Sequence, residues 1–205
     1  MTPLDVVTLS TETVWKRHTQ LDVVQFQARR FDGRMSAVRT WEVWRRGAAV
    51  GLLPYDPVTD QFVMIEQFRY PAMVAGVDPV MLEVPAGFID GDEAPEQTAA
   101  REVREEMGLE AGRTERIGRF VLTAGGSDET VTLYVGRVQA PAADTDGIAG
   151  YGGLASENED IRIRVIPAAV AIERALAGAY PNSVTTIALL WFAARHDALR
   201  TEWLA

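Results

Sequence analysis

Apolar and polar positions alternate through the first third of the chain, and the alternation breaks at turn-forming residues. In "LDVVQFQARRFDGRMSAVRTWEVWRRG" (21–47), extended segments rich in Val, Phe and Trp flank Asp32-Gly33, a dipeptide that tolerates positive φ and favours a tight hairpin. A second hairpin is predicted where "AAVGLLPY" and "QFVMIEQF" flank "DPVTD" (56–60). The period then lengthens. Pro95 suits the first position of a helix, alanines follow and Gly108 suits its stop, so residues 95–107 are predicted helical. Strands return in "ERIGRFVLT" and "ETVTLYVGRV", joined by "AGGSD" (124–128), and after an irregular, Gly-rich stretch from Ala140 to Asn158 in the alternating "DIRIRVI". The chain closes with two helical patterns, "AAVAIERALAGA" and the amphipathic "SVTTIALLWFAARHDALRTEWL", the latter with Ser183 or Asn182 as its cap.

Strands, helix, strands and then helices predict an α/β (α+β) sandwich. The polar, aromatic-studded strands of residues 1–46 form an expected small antiparallel β domain, and residues 47–205 the larger domain. No span of about 18 apolar residues occurs, and the N-terminus lacks the basic start and apolar core of a signal peptide, so a cytoplasmic protein without membrane contact is expected. Twenty-nine acids against 20 Lys and Arg give a net charge of −9, which removes any general attraction to a phosphate backbone and argues against nucleic acid as a partner. Cysteines are absent, so thiolate metal sites and Cys nucleophiles are excluded, and only two histidines, His18 and His196, are present. An anionic substrate would need a divalent cation to offset this acidity.

The acids concentrate in "GFIDGDEAPEQTAAREVREEMGL" (87–109). On a helix Glu102, Glu105 and Glu106 fall within an arc of about 100°, and the 102/106 pair lies roughly 5–6 Å apart at Cβ. Taken alone this is compatible with a solvated helix face, since like-charge repulsion there costs only a few tenths of a kcal/mol per pair. The wider pattern is G-x5-E-x7-R-E-U-x-E-E-x-G-U, with U aliphatic, running from Gly87 through Glu93, Arg101 and Glu102 to Leu109, and all nine specified positions are filled. It resembles the signature of the Nudix hydrolases, which cleave nucleoside diphosphates linked to another moiety. That resemblance implies an α/β/α sandwich and Mg²⁺, with Mn²⁺ able to substitute, held by Glu102, Glu106 and the carbonyl of Ala86. It also implies a contribution from Glu105 to catalysis, and a structural role for Gly87 and for the Glu93–Arg101 ion pair that clamps loop to helix.

Outside that box "IEQFRYP", "LEVPAGFID", "GGLASENEDIRI" and "ALRTEWLA" look like bacterial ADP-ribose pyrophosphatases. The likeness implies Mg²⁺-dependent hydrolysis of ADP-ribose to AMP and ribose 5-phosphate in a homodimer whose N-terminal strands help build the partner's substrate pocket. By the same likeness Glu157 deprotonates the attacking water, Glu159 reaches a metal, and Arg46, Arg69, Gly125 and Glu129 face the substrate. Three features depart from that sub-family: Ala124 stands for a proline, His18-Thr19 for two aromatics that stack on adenine, and Trp41 for a base-contacting arginine. Trp41 or Trp15 would take over the stacking, or else serve as dimer-interface or core aromatics. These departures leave another nucleoside diphosphate sugar, such as GDP-mannose, as the alternative substrate. A nucleotide-sensing module that does not cleave is the alternative from another class, disfavoured by the complete set of box glutamates.

Overall fold

A computed structural model describes residues 5–205; the first four residues of the expected N-terminal domain lie outside it. The chain divides into two compact units, one comprising residues up to Ala48 together with 121–130, the other Ala49–Phe120 and Val131–Ala205.

The first unit is an antiparallel sheet in the order β1(Val6–Lys16)–β2(Gln20–Ala28)–β3(Arg39–Arg45). The Asp32-Gly33 hairpin joins β2 to β3, with Gly33 at φ 84°. β1 was not anticipated. Its stretch lacks steady alternation, and register shifts interrupt its pairing with β2 between Thr8 and Ser10 and between Thr13 and Trp15. All eleven of its positions are exposed, including Val6, Val7, Leu9, Val14 and Trp15. The loop 121–130 is tied to β3: the Trp44 N–H donates to the Gly126 carbonyl (2.8 Å), and Arg45 Nη1 lies 3.3 Å from Asp128 Oδ2.

The second unit holds a sheet ordered β10(Ile148–Gly152)–β11(Ile161–Pro167)–β5(Gln61–Phe68)–β4(Ala48–Asp56)–β9(Thr130–Arg137)–β8(Thr114–Val121). β4 and β5 pair only next to their turn, at Tyr55↔Phe62 and Asp56↔Gln61, and then part. Into the opening run two short strands of one continuous segment: β6(Val80–Glu83) pairs with β5, and β7(Ala86–Phe88) pairs with β4. Buried Pro85 sits between them, where a missing N–H disrupts no ladder, and its carbonyl accepts from the Leu52 N–H at 3.1 Å.

Helices cover both faces of this sheet. Val63 and Ile65 of β5 join Val50, Leu52, Ile161, Ile163 and Val165 in a cluster with Ala99, Val103 and Met107 of α2(Pro95–Met107). Their neighbour Phe62 points the other way, as strand alternation requires, and meets Phe192 edge-on at 4.8 Å between ring centroids. That second face is closed by α3(Ala168–Leu176), α4(Ser183–Ala193) and α5(His196–Leu204), through buried Ala171, Ala175, Leu189, Leu199 and Trp203. A short helix α1(Tyr70–Val74) follows β5. The arrangement is the expected α/β/α sandwich with a small N-terminal antiparallel sheet.

The single helix expected over 183–204 is two. Asn182 caps the first by accepting from the Thr185 N–H (3.0 Å), and the chain leaves helical geometry at Arg195, φ −122° and ψ −4°. No Pro or Gly marks the break. Its consequence is tertiary: α5 carries His196 and Arg200 onto Asp60 in the β4–β5 turn. Asp60 Oδ1 accepts from the Tyr55 hydroxyl at 2.8 Å and lies 2.7 Å from His196 Nε2, while Oδ2 lies 3.1 Å from Arg200 Nη1. Burial alone would raise the Asp60 pKa, but the His196 and Tyr55 hydrogen bonds and the charges of His196 and Arg200 outweigh it and hold the carboxyl below the usual range. A depressed carboxyl pKa contributes stability that is fully present above the unfolded value of about 3.9 and is lost as pH falls through the folded one. Asp60→Asn is therefore expected to lower stability by about 1–3 kcal/mol at pH 7. Urea denaturation of both proteins from pH 7 to pH 3 checks this, with the gap between them narrowing toward acid.

Candidate active site

α2 owes its position in sequence to its ends and its orientation to Val103 and Met107. Pro95 opens it, and the Gln97 side chain accepts from the Ala94 N–H at 3.2 Å. Gly108, at φ 67°, closes it in the left-handed conformation, donating to the Arg104 carbonyl at 2.9 Å. With the apolar stripe in the core, the remaining faces carry the acids.

Arg101 organises the outer part of this cluster. Its Nη1 lies 2.7 Å from Glu105 Oε2 and 2.9 Å from Glu102 Oε1, its Nε lies 3.3 Å from Glu93 Oε2, and its Nη2 donates to the Phe88 carbonyl at 3.4 Å. Glu93 in turn accepts from the Thr98 hydroxyl at 2.8 Å. One planar cation thus joins the loop after β7 to the helix, and its permanent charge fits a hub for several carboxylates.

The inner part has no such counterion. Glu106 is only 3% exposed, and its Oε2 has no hydrogen-bond partner. Burial first, then the charges of Glu102 and Glu159, push its pKa up to about 9, against a weaker opposing pull from Arg69 and the Ala86 N–H. Burial likewise raises Glu102, with Arg101 opposing. Among the described residues no three acids converge into a closed metal cage. Glu102, Glu106 and Glu159 are near enough to feel one another's charge, and Mg²⁺, which keeps several waters, needs only one or two carboxylates. An orphaned buried carboxylate oxygen among further carboxylates fits a hard divalent cation.

Glycines let backbone approach this cluster. A Cβ on Gly87 would fall 2.1 Å from Glu102 Oε1, and one on Gly152 would fall 1.9 Å from the Glu106 carbonyl oxygen. Space requires glycine at 152, where the neighbour is backbone, while a side chain at 87 would displace the Glu102 carboxylate. Glu159 sits beyond Gly153, its Oε2 accepting from the Leu154 N–H at 2.9 Å, while Glu157 is exposed on a 3₁₀ turn over Ala155–Glu157. Here the expected irregular stretch supplies a strand, β10.

Arg69, at the end of β5, is held by a residue to which sequence reasoning gave no role. Glu83 is 3% exposed; its Oε2 accepts from Arg69 Nε at 2.9 Å and lies 2.8 Å from Nη2, and its Oε1 accepts from Asn182 Nδ2 at 2.5 Å. The available signal was a lone acid in the apolar run "VMLEVP". The structure therefore gathers Ala86, Gly87, Glu102, Glu106, Glu159 and Arg69 in the second unit. Arg46, Gly125, Glu129 and Trp41 belong to the first, where Arg46 Nη2 lies 3.3 Å from Glu129 Oε1 and Trp41 packs on Phe26 at 5.3 Å between ring centroids.

The NUDIX domain family model matches residues 45–179. The chain belongs to the NUDIX family. Similarity extends beyond the NUDIX match. The chain is 39% identical over 199 residues to an ADP-ribose pyrophosphatase of Escherichia coli, covering 97% of this chain and 93% of that protein. It is 30% identical over 156 residues to a GDP-mannose pyrophosphatase of Salmonella arizonae, covering 76% of this chain and 78% of that one. In fold, this NUDIX chain is similar to a crystal structure of an ADP compounds hydrolase, with a TM-score of 0.71 at 18% identity over 95% of this chain and 96% of that one.

Gly87→Ala is expected to push the Glu102 carboxylate off its position and to cost about 100-fold in kcat/KM, the order seen for misplacements near 1 Å. A thermal melt within a few degrees of wild type, measured beside the kinetics, would separate this from unfolding. Glu106→Gln replaces a carboxyl whose raised pKa keeps it protonated in the metal-free protein at neutral pH with an uncharged group of the same shape, so the metal-free protein is expected to melt no lower than wild type. Any rise in melting temperature on adding Mg²⁺ to wild type is expected to be absent from this variant.

Proposed function

We propose that this NUDIX protein hydrolyses the pyrophosphate of ADP-ribose to AMP and ribose 5-phosphate with Mg²⁺. The observation that carries the reading is the orphaned Glu106 carboxylate inside a complete box. The substrate is argued from the near full-length likeness to ADP-ribose pyrophosphatases. Glu102, Glu106, the Ala86 carbonyl and Glu159 would hold the cation, which when bound neutralises pyrophosphate charge and polarises its oxygens; Mn²⁺ would serve in its place.

The chain's own residues supply the rest. Arg69, pre-oriented by Glu83, offers a forked donor to a phosphate or ribose oxygen. Glu157, on its exposed turn after the Gly-rich segment, orients a water and takes its proton as the new P–O bond forms and the bridging P–O bond breaks. Glu105 contributes beside it, held by Arg101. Gly87, Glu93 and Arg101 are framework. Arg46, Gly125 and Glu129 are assigned to substrate, with the small sheet of residues 1–46 acting across a homodimer. The uncovered Val6, Val7, Leu9 and Val14 of β1 support that assembly, because an edge strand bearing apolar side chains favours a partner. Among the described residues no helix is long and apolar enough to cross a membrane, and a cytoplasmic setting is part of the proposal.

GDP-mannose is the second reading, favoured by the absence of an aromatic pair at His18-Thr19. Comparing kcat/KM for ADP-ribose, GDP-mannose and ADP-glucose decides between them: ADP-ribose is expected to lead, and a guanosine preference would reverse the assignment. Glu157→Gln is expected to lower kcat by about 10²–10⁴-fold while Mg²⁺ binding persists. Near-normal turnover in that variant would remove Glu157 from the mechanism.

A further inference from the structure

Trp44 is a large apolar side chain left 44% exposed, yet every polar group it owns is fixed. Its indole Nε1–H donates to the Thr19 hydroxyl at 2.9 Å. Its backbone N–H donates to the Gly126 carbonyl at 2.8 Å, and its carbonyl accepts from the Ser127 hydroxyl at 3.0 Å and the Asp128 N–H at 3.2 Å. The Arg46 guanidinium lies over the ring, 4.6 Å from its centroid. That guanidinium is itself anchored, with Nη2 3.3 Å from Glu129 Oε1 and Nε 3.4 Å from Oε2.

Here strand, loop and hydroxyl hold an aromatic plane at a set angle, with a cation on it and a carboxylate beside the cation. An aromatic plane takes a nucleobase by stacking, whatever the base. A neighbouring guanidinium strengthens such a site for an anionic nucleotide, and a carboxylate beside it accepts from ribose hydroxyls. Trp41, three residues away in β3, faces the opposite side of the strand and already spends a ring contact on Phe26.

We propose that Trp44 is the platform on which the substrate's nucleobase stacks, held at its angle by Thr19 and flanked by Arg46 and Glu129. This rests on the reading of the protein as a nucleoside diphosphate sugar hydrolase, and it assigns to Trp44 the recognition for which Trp41 and Trp15 were the sequence candidates.

The test uses the full-length protein with Mg²⁺ and the variants Trp44→Ala, Trp44→Phe and Trp41→Ala. AMP and ribose 5-phosphate are titrated separately by calorimetry, ADP-ribose kinetics are measured in parallel, and sedimentation reports the assembly. Trp44→Ala is expected to weaken AMP by about 10- to 100-fold and to raise KM for ADP-ribose by a similar factor, the range of one lost base stack. Its kcat should stay within about twofold, since a base contact of this kind is made equally in the ground and transition states. Phenylalanine should recover most of the loss, ribose 5-phosphate should bind as before, and sedimentation should match wild type. Unchanged AMP affinity and KM, an equal loss for ribose 5-phosphate, a changed assembly, or a base effect found in Trp41→Ala instead would each overturn the assignment while leaving the hydrolase reading intact. A wild type that binds AMP through Trp44 but cleaves no nucleotide sugar would overturn the hydrolase reading and keep the platform.

Discussion

A carboxylate buried beside other carboxylates is unfavourable to fold around, and much of the second unit is arranged to tolerate Glu106. Its Oε2 has no hydrogen-bond donor, and the charges of Glu102 and Glu159 bear on it. The fold does not relieve this by moving a cation inward. Arg101 engages the outer carboxylates, Glu93 and Glu105, and only one oxygen of Glu102, so the compensation stops at the rim of the cluster. The interior keeps carboxyl groups with no counter-cation and with raised pKa values, and a hard divalent cation would favour their charged form. The stability of the rest has to carry that local deficit, and the continuous apolar cluster between α2 and the sheet is where it is carried.

The same constraint explains the glycines. Backbone can approach α2 this closely only where no Cβ intervenes: Gly87, on β7 beside β4, faces the Glu102 carboxylate, and Gly152, on the edge strand β10, faces the Glu106 carbonyl. Backbone thus walls the acids in without adding side chains that would compete for the cation. On the far face of the sheet the logic is reversed: Asp60 is surrounded by donors from Tyr55, His196 and Arg200, and its carboxyl is lowered where that of Glu106 is raised. The buried carboxyl of Glu106 and the half-buried carboxyl of Asp60 are shifted in opposite directions by their surroundings.

What could be read from the chain follows from the distance over which each feature is determined. The helix 95–107, with its proline start and glycine stop, is a local affair, and its residues were legible with the box they carry. The end of α4 was not, because Arg195 leaves helical geometry with no breaker beside it, and the break shows only in what α5 then reaches. β1 escaped notice because an edge strand with every position exposed leaves no alternation to read. Glu83 was hidden for a different reason: its partners Arg69 and Asn182 lie 14 and 99 residues away, and nothing in "VMLEVP" says which groups will meet that acid. Trp44 was visible as a residue, and its significance lay in contacts with Thr19 and the 126–128 loop.

The parting of β4 and β5 has a mechanical side. Because the segment that fills the opening is a single run of chain, Glu83 and Ala86 are three residues apart on an extended backbone, a span of about 10 Å that cannot stretch. Glu83 sets the aim of Arg69, and Ala86 with Gly87 borders the carboxylates of α2. The spacing between the arginine and the acidic cluster is therefore governed by a short covalent ruler clamped on both sides by strand pairing. Any change in the distance between those two groups would have to bend the sheet itself, which makes this segment a fixed spacer as well as a piece of scaffold.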